Sequence, residues 1–307
     1  MTADGDRASS AEYVPRRPWR DEAVRIRGLS THLTWWGERS DDPVVLLHGF
    51  MDAGRTWQFL VDCLPQSWTC VAPDWRGFGE SGRSQDAYWF ADYFADLEAL
   101  LDVLNPRAPA RVIAHSMGGN IASMYAGMRP RRLAWLADLE GIGLPRNGSE
   151  LAVQRYARWL DQLREPRTAR HYQSIEQLAV IIAGRNERLG LERARFIAKA
   201  WTRRTAQGYE LASDPLHELV NPTLYRRDDA ESCWREVAVP VLLLFGGLSG
   251  FRDRLGADGS DSKLRSMFSD LRIATIAGVG HMLQHEDPGA VAEHIVRFAD
   301  HCSRDVT

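Results

Sequence analysis

Six short apolar runs constrain most strongly what this chain can fold into. Residues 43–48 (PVVLLH), 69–73, 111–115 (RVIAH), 133–139, 240–245 and 271–276 are strand-sized and almost continuously apolar, the pattern of strands buried on both faces. Segments of helical period separate several of them. Over 88–104, Phe90, Phe94, Leu97, Leu101 and Leu104 share one face; 117–127 is a second helical segment. Over 289–301, Val291, Ile295, Phe298 and Ala299 do the same. Near the start, 23–27 and 32–36 predict a hairpin about Gly28. Buried strands alternating with helices predict the α/β class, with a mostly parallel central sheet covered by helices on both faces.

The alternation stops between about 141 and 239. This stretch is too long for a loop and reads as several helices and few strands. Ser174 with Gln177 forms a capping-box pattern before Leu178, Ile181 and Ile182, and 155–163 and 194–201 are amphipathic. The expected organisation is a flexible arm over 1–20, a core built from 21–140 and 240–307, and a helical cap over 141–239.

Composition excludes several alternatives. Of 307 residues, 44% are hydrophobic and 26% charged, which is ordinary soluble usage rather than that of a disordered or fibrous chain. No apolar run approaches the roughly 18–20 residues of a membrane span. A net charge of -3 gives no reason to expect nucleic acid as a partner. The polar N-terminus lacks a secretion pattern. Four scattered cysteines, Cys63, Cys70, Cys233 and Cys302, suit neither a disulfide scaffold nor a zinc site. A cytoplasmic setting is expected.

Chemistry concentrates at four turns. The first is Ala114-His115-Ser116-Met117-Gly118-Gly119, between a buried strand and a helix. Small residues around a serine at a strand-to-helix bend mark a nucleophile elbow, which lifts the hydroxyl clear of the sheet. The second, Leu47-His48-Gly49-Phe50-Met51, follows a buried strand; the His48 side chain reads as a brace for the turn. The third is Pro73-Asp74-Trp75-Arg76-Gly77-Phe78-Gly79-Glu80-Ser81, where Asp74 and Arg76 read as loop architecture. The fourth, Gly278-Val279-Gly280-His281-Met282, delivers His281 on a glycine-rich loop, as a general base requires. His285 lies four residues on, but no HE-x-x-H pattern or third ligand supports a metal site.

Taken together, these turns resemble the α/β-hydrolase fold family over nearly the whole chain, from about residue 23 to 301. The resemblance implies a serine hydrolase in which Ser116 attacks, His281 is the base, and the Phe50 and Met117 N–H groups form the oxyanion hole. It also implies that the 141–239 insertion is the family's cap. The order of oxyanion turn, serine, acid and histidine is the family's. The triad acid is less direct. The family's commonest position, past the 240–245 strand, holds Ser249. Glu140 at the end of the preceding strand ranks first, Asp253 is the alternative, and Asp138 ranks below both. Relatives that attack with aspartate, the haloalkane dehalogenases and epoxide hydrolases, are disfavoured by Ser116.

The expected activity is cleavage of a carboxylic ester, or of a thioester or lactone, in a small-molecule acyl substrate, through an acyl-enzyme and without a cofactor or metal. A C–C bond hydrolase or serine-dependent lyase on the same scaffold is the alternative, and a non-catalytic ligand-binding member a third reading.

Overall fold

The computed structural model describes residues 12–165 and 167–304. Eight strands form the main sheet. β1 (Trp19–Ile26) and β2 (Leu29–Trp36) make an antiparallel hairpin that turns at Arg27 and Gly28. β3 (Val44–Leu47), β4 (Cys70–Pro73), β5 (Ala110–His115) and β6 (Leu133–Leu139) follow. A separate three-stranded sheet holds β7 (His171–Tyr172), β8 (Thr202–Thr205) and β9 (Gly208–Leu211). The main sheet resumes with β10 (Val241–Gly246) and β11 (Leu271–Ile276). Its order is β1-β2-β4-β3-β5-β6-β10-β11. From β4 to β11 all neighbours run parallel, and β2 joins β4 antiparallel.

The helices, in chain order, are α1 (Gln58–Val61), α2 (Phe90–Leu104), α3 (Met117–Met128), α4 (Ala152–Gln162), α5 (Ile175–Arg185), α6 (Gly190–Trp201), α7 (Arg227–Arg235), α8 (Phe251–Leu255), α9 (Asp261–Arg265), α10 (Leu283–Glu286) and α11 (Pro288–Arg304). On one face of the sheet, Leu97 and Leu101 of α2, Ile121 of α3 and Trp234 of α7 pack on Val45, Val112 and Leu243. On the other, Leu60 of α1 and Val291, Ile295 and Phe298 of α11 pack on Leu46, Ile113 and Leu244. Both faces are covered, so the central strands β3, β4, β5, β6 and β10 are almost continuously apolar, as their sequence predicts.

Two expectations need correction. The arm expected over 1–20 is in place from Tyr13 onward, while residues 1–11 lie outside the described residues. The buried Asp62 carboxylate accepts hydrogen bonds from the Tyr13 hydroxyl (2.7 Å) and the Arg16 and Arg17 N–H groups (3.0 and 2.8 Å), and β1 already begins at Trp19. The 141–239 segment holds several helices and a few short strands, but does not leave the sheet-covering layer over its whole length. It includes the β7–β9 sheet, and its last helix, α7, lies in the sheet-covering layer: Trp234 Nε1 donates to Ser123 Oγ of α3 at 3.0 Å. The part that leaves this layer therefore ends near residue 226. Its small core, built on Leu178, Ala179, Ile197 and Ala198, rests on Phe59 of α1.

Candidate active site

Ser116 sits between β5 and α3 with φ 50° and ψ −114°, a conformation that costs a non-glycine residue on the order of 1–3 kcal/mol. The surroundings hold it there. Its N–H donates to Leu139 O at 2.9 Å, and its carbonyl accepts from Asn120 N–H at 2.9 Å. A side chain at Gly118 would collide with the carbonyl oxygens of Leu47 and His48, so glycine is what lets α3 start hard against the turn after β3. That turn runs alongside Ser116: a Cβ built on Gly49 would stand 3.2 Å from Ser116 Cβ. The Phe50 and Met117 N–H groups therefore belong to segments that meet at Ser116, and Met117 opens α3, where backbone N–H groups lack helical partners.

His48 braces this turn, as its sequence context predicts. Its Nε2 accepts from Trp75 N–H at 2.9 Å, which puts the ring proton on Nδ1, and Nδ1 donates to Gly49 O at 2.8 Å. Asp74 and Arg76 are structural too. Asp74 accepts from the N–H groups of Gly54 and Glu80 and pairs with His32, and Arg76 pairs with Asp96.

The structure brings Ser116, His281 and Glu140 into one chain of hydrogen bonds. His281 Nε2 lies 3.0 Å from Ser116 Oγ, and His281 Nδ1 lies 2.6 Å from Glu140 Oε2. One neutral tautomer satisfies both contacts: Nδ1–H donates to the carboxylate and Nε2 accepts from the serine hydroxyl. Glu140 is buried, at 1% exposure, and adopts a left-handed φ of 54°. Its Oε1 accepts from Gly246 N–H at 2.7 Å and its Oε2 from Ser249 Oγ at 2.5 Å. The Phe251 ring stacks on His281 with centroids 5.5 Å apart.

The other carboxylates considered are not part of this chain. Asp253 is exposed on α8. The β10–α8 loop sends Ser249 and Phe251 toward the imidazole and leaves Asp253 on the outer side. Asp138 is fully buried, accepts from Gly141 N–H at 2.7 Å, and has its carboxyl pushed up to about 8 by burial. Ser249 has a part that sequence reasoning missed: the residue that displaces the expected acid donates a hydrogen bond to the one that stands in for it.

Two spaces flank the site, one reaching His281 and the other Met117, and Phe50 borders both. A cavity of about 600 Å³ is lined by Gly280, His281 and Met282 together with α5, α6 and β9 residues such as Ile181, Ile197 and Leu211. A chamber of about 140 Å³ is lined by Met117, Tyr88, Trp89, Trp159 and Leu219. His217 packs beside Phe50, its ring stacked between Phe78 and Tyr88 at centroid distances of 3.9 and 3.7 Å. Among the described residues, no group of three or more His, Cys, Asp or Glu side chains could hold a metal ion, and no helix is long and apolar enough to cross a membrane.

Burial lowers the pKa of His217 to about 4. The unfolded chain takes up this proton near the ordinary value of about 6.5, and the folded chain resists it until about 4. Stability from this group is thus present above the unfolded value and is lost as pH falls through that window. The stability advantage of the native protein over His217→Gln should therefore narrow on acidification from about pH 7 to about pH 5. Thermal melts of both proteins across that range check this; a constant gap would refute the neutral, buried imidazole.

An open parallel sheet, a serine on a strained strand-to-helix turn and a histidine from the loop after the last strand define a class of enzyme scaffold. A model of the alpha/beta hydrolase fold matches residues 42–288, and the chain belongs to that family. It is 26% identical to a serine hydrolase-like protein of Danio rerio, over 98% of this chain and 92% of that protein. A haloalkane dehalogenase of Mesorhizobium japonicum is 28% identical over 52% of this chain and 46% of its own length. Among solved structures, the thioesterase domain from the curacin biosynthetic pathway superposes with a TM-score of 0.81 at 22% identity, covering 91% of this chain and 99% of that one.

Proposed function

We propose that this protein is a serine hydrolase that cleaves a carboxylic ester or thioester through an acyl-enzyme. The observation that carries the reading is the unbroken relay from Ser116 Oγ through His281 to Glu140. In the forward step Ser116 Oγ attacks the acyl carbonyl while His281 Nε2 takes its proton. Glu140 holds the ring in the tautomer that can do this and stabilises the imidazolium that forms. The carbonyl oxygen, now anionic, is held by the Phe50 and Met117 N–H groups, each worth about 3 kcal/mol in comparable sites. Collapse of the tetrahedral intermediate expels the leaving group, which receives the proton from His281. Water then repeats the sequence on the acyl-enzyme and releases the acid.

A serine hydroxyl suits acyl transfer; displacing halide from an alkyl carbon is the work of a carboxylate nucleophile, which position 116 does not supply. The test is covalent labelling with a fluorophosphonate, read by intact mass, together with turnover of p-nitrophenyl esters of graded acyl length. Labelling at Ser116 with ester turnover supports the proposal. A folded protein that neither labels nor turns over any ester overturns it. In the same assay Asp253→Asn is expected to keep kcat within about twofold, as surface changes away from a site do.

A further inference from the structure

We propose that the leaving group, not the acyl group, occupies the large cavity, so that the preferred substrates are short-chain acyl esters or thioesters of a bulky, anionic alcohol or thiol. This rests on the serine-hydrolase reading above. The path of the proton fixes the orientation of the substrate. His281 Nε2 takes the proton from Ser116 Oγ and returns it to the departing oxygen or sulfur, so that atom must lie within hydrogen-bond reach of Nε2. The serine oxygen–carbonyl carbon bond forms, the carbonyl carbon–leaving atom bond breaks, and the leaving group departs protonated on the histidine side. With the carbonyl oxygen between the Phe50 and Met117 N–H groups and the leaving atom beside His281 Nε2, the acyl substituent is left the direction away from His281.

The two spaces divide along the same line. Gly280, His281 and Met282 border the cavity of about 600 Å³ and not the small chamber. Met117 borders the chamber of about 140 Å³ and not the cavity. The half-exposed Phe50 ring stands between them, set edge-on against Phe78 and His217. On the same measure the chamber is less than a quarter of the cavity, about 140 against about 600 Å³. Its walls of Tyr88, Trp89 and Trp159 suit a short apolar acyl group.

The large cavity suggests what the leaving group carries. Besides aliphatic side chains, its wall holds three exposed arginines, Arg170, Arg185 and Arg188. Arg170 Nη2 lies 3.2 Å from Glu218, and Arg188 Nη1 lies 3.9 Å from Glu286. Glu286 is already engaged, accepting from Gly280 N–H and Asn186 Nδ2. Arg185 has no ion-pair partner among the described residues. A carboxylate or phosphate on the leaving group would complete it.

The experiment holds the chemistry constant while changing one side of the substrate at a time. With 2-naphthol as the common leaving group, the butyryl ester should exceed the dodecanoyl ester in kcat/KM by about 100-fold, because a long chain overfills the chamber. With butyryl as the common acyl group, the ratio of the 6-carboxy-2-naphthyl to the 2-naphthyl ester should fall about tenfold in Arg185→Ala, the value of one charge-assisted hydrogen bond. Trp159→Ala should move the acyl optimum to longer chains, and Ile181→Ala, on the cavity wall, should not. If naphthyl dodecanoate is preferred, or if Ile181→Ala rather than Trp159→Ala moves the acyl optimum, the assignment is overturned while the serine mechanism stands. If folded protein neither turns over any of these esters nor labels with fluorophosphonate, the serine mechanism falls and takes this inference with it.

Discussion

Replacing Ser116 with alanine is expected to reduce kcat by at least about 10⁴-fold, the usual scale for losing the nucleophile of a triad, while leaving the fold intact. Among the described residues Ser116 Oγ has one partner, His281 Nε2, and the strained turn is held by backbone hydrogen bonds that alanine keeps. Circular dichroism and thermal melts should overlay those of the native protein, and fluorophosphonate labelling should vanish. Retention of more than about a hundredth of native kcat would rule out a covalent route through this serine.

The second large effect is expected at Glu140. Glu140→Gln is nearly isosteric and can still accept from Gly246 N–H through its carbonyl oxygen, so the left-handed turn should survive. The amide then faces two donors, Ser249 Oγ–H and His281 Nδ1–H, where the native oxygen accepts from both. To relieve that clash the imidazole must move its proton to Nε2, where it can no longer take one from Ser116. A loss of about 10³–10⁴ in kcat with little change in KM is the expected result, as for the wrong tautomer in other triads. Native-like turnover by Glu140→Gln would show that His281 works without this carboxylate. Ser249→Ala removes a neutral donor to the same oxygen, and a loss of about tenfold or less is expected, the value of one hydrogen bond.

The sheet was legible because strands buried on both faces must be apolar, and the six runs that end in or near turns coincide with β3, β4, β5, β6, β10 and β11. The elbow was legible because a bend of that tightness admits only small neighbours, which leaves a local trace at Gly118 and Gly119. Glu140 was reached through the family resemblance, which implies an acid where Ser249 stands and allows one at the end of the preceding strand, where the sequence offers a carboxylate. Other features had no local trace. The seating of residues 13–17 depends on Asp62, more than forty positions away. The β8–β9 hairpin is short, with polar TRRT paired with GYEL, where only Tyr209 and Leu211 alternate, too brief a pattern to betray a strand. The role of α7 depends on Trp234 meeting Ser123, a pairing that helical periodicity alone does not specify.

Placing the acid on the end of β6 has a mechanical consequence. Ser116 follows β5 and Glu140 follows β6, and these strands are paired in register from Arg111 with Trp135 to His115 with Leu139. Ser116 and Glu140 are thus neighbouring teeth of one comb, spaced by a hydrogen-bonded ladder in the middle of the sheet. A segment that drifts at the rim, whether the insertion above the cavity or the loop after β10, cannot change that spacing. Only the imidazole arrives on an independent loop. Asp253 itself, exposed on α8, is therefore where altered charge should accumulate among homologues at little cost to turnover, whereas Ser249 and Phe251, which touch Glu140 and His281, should vary less.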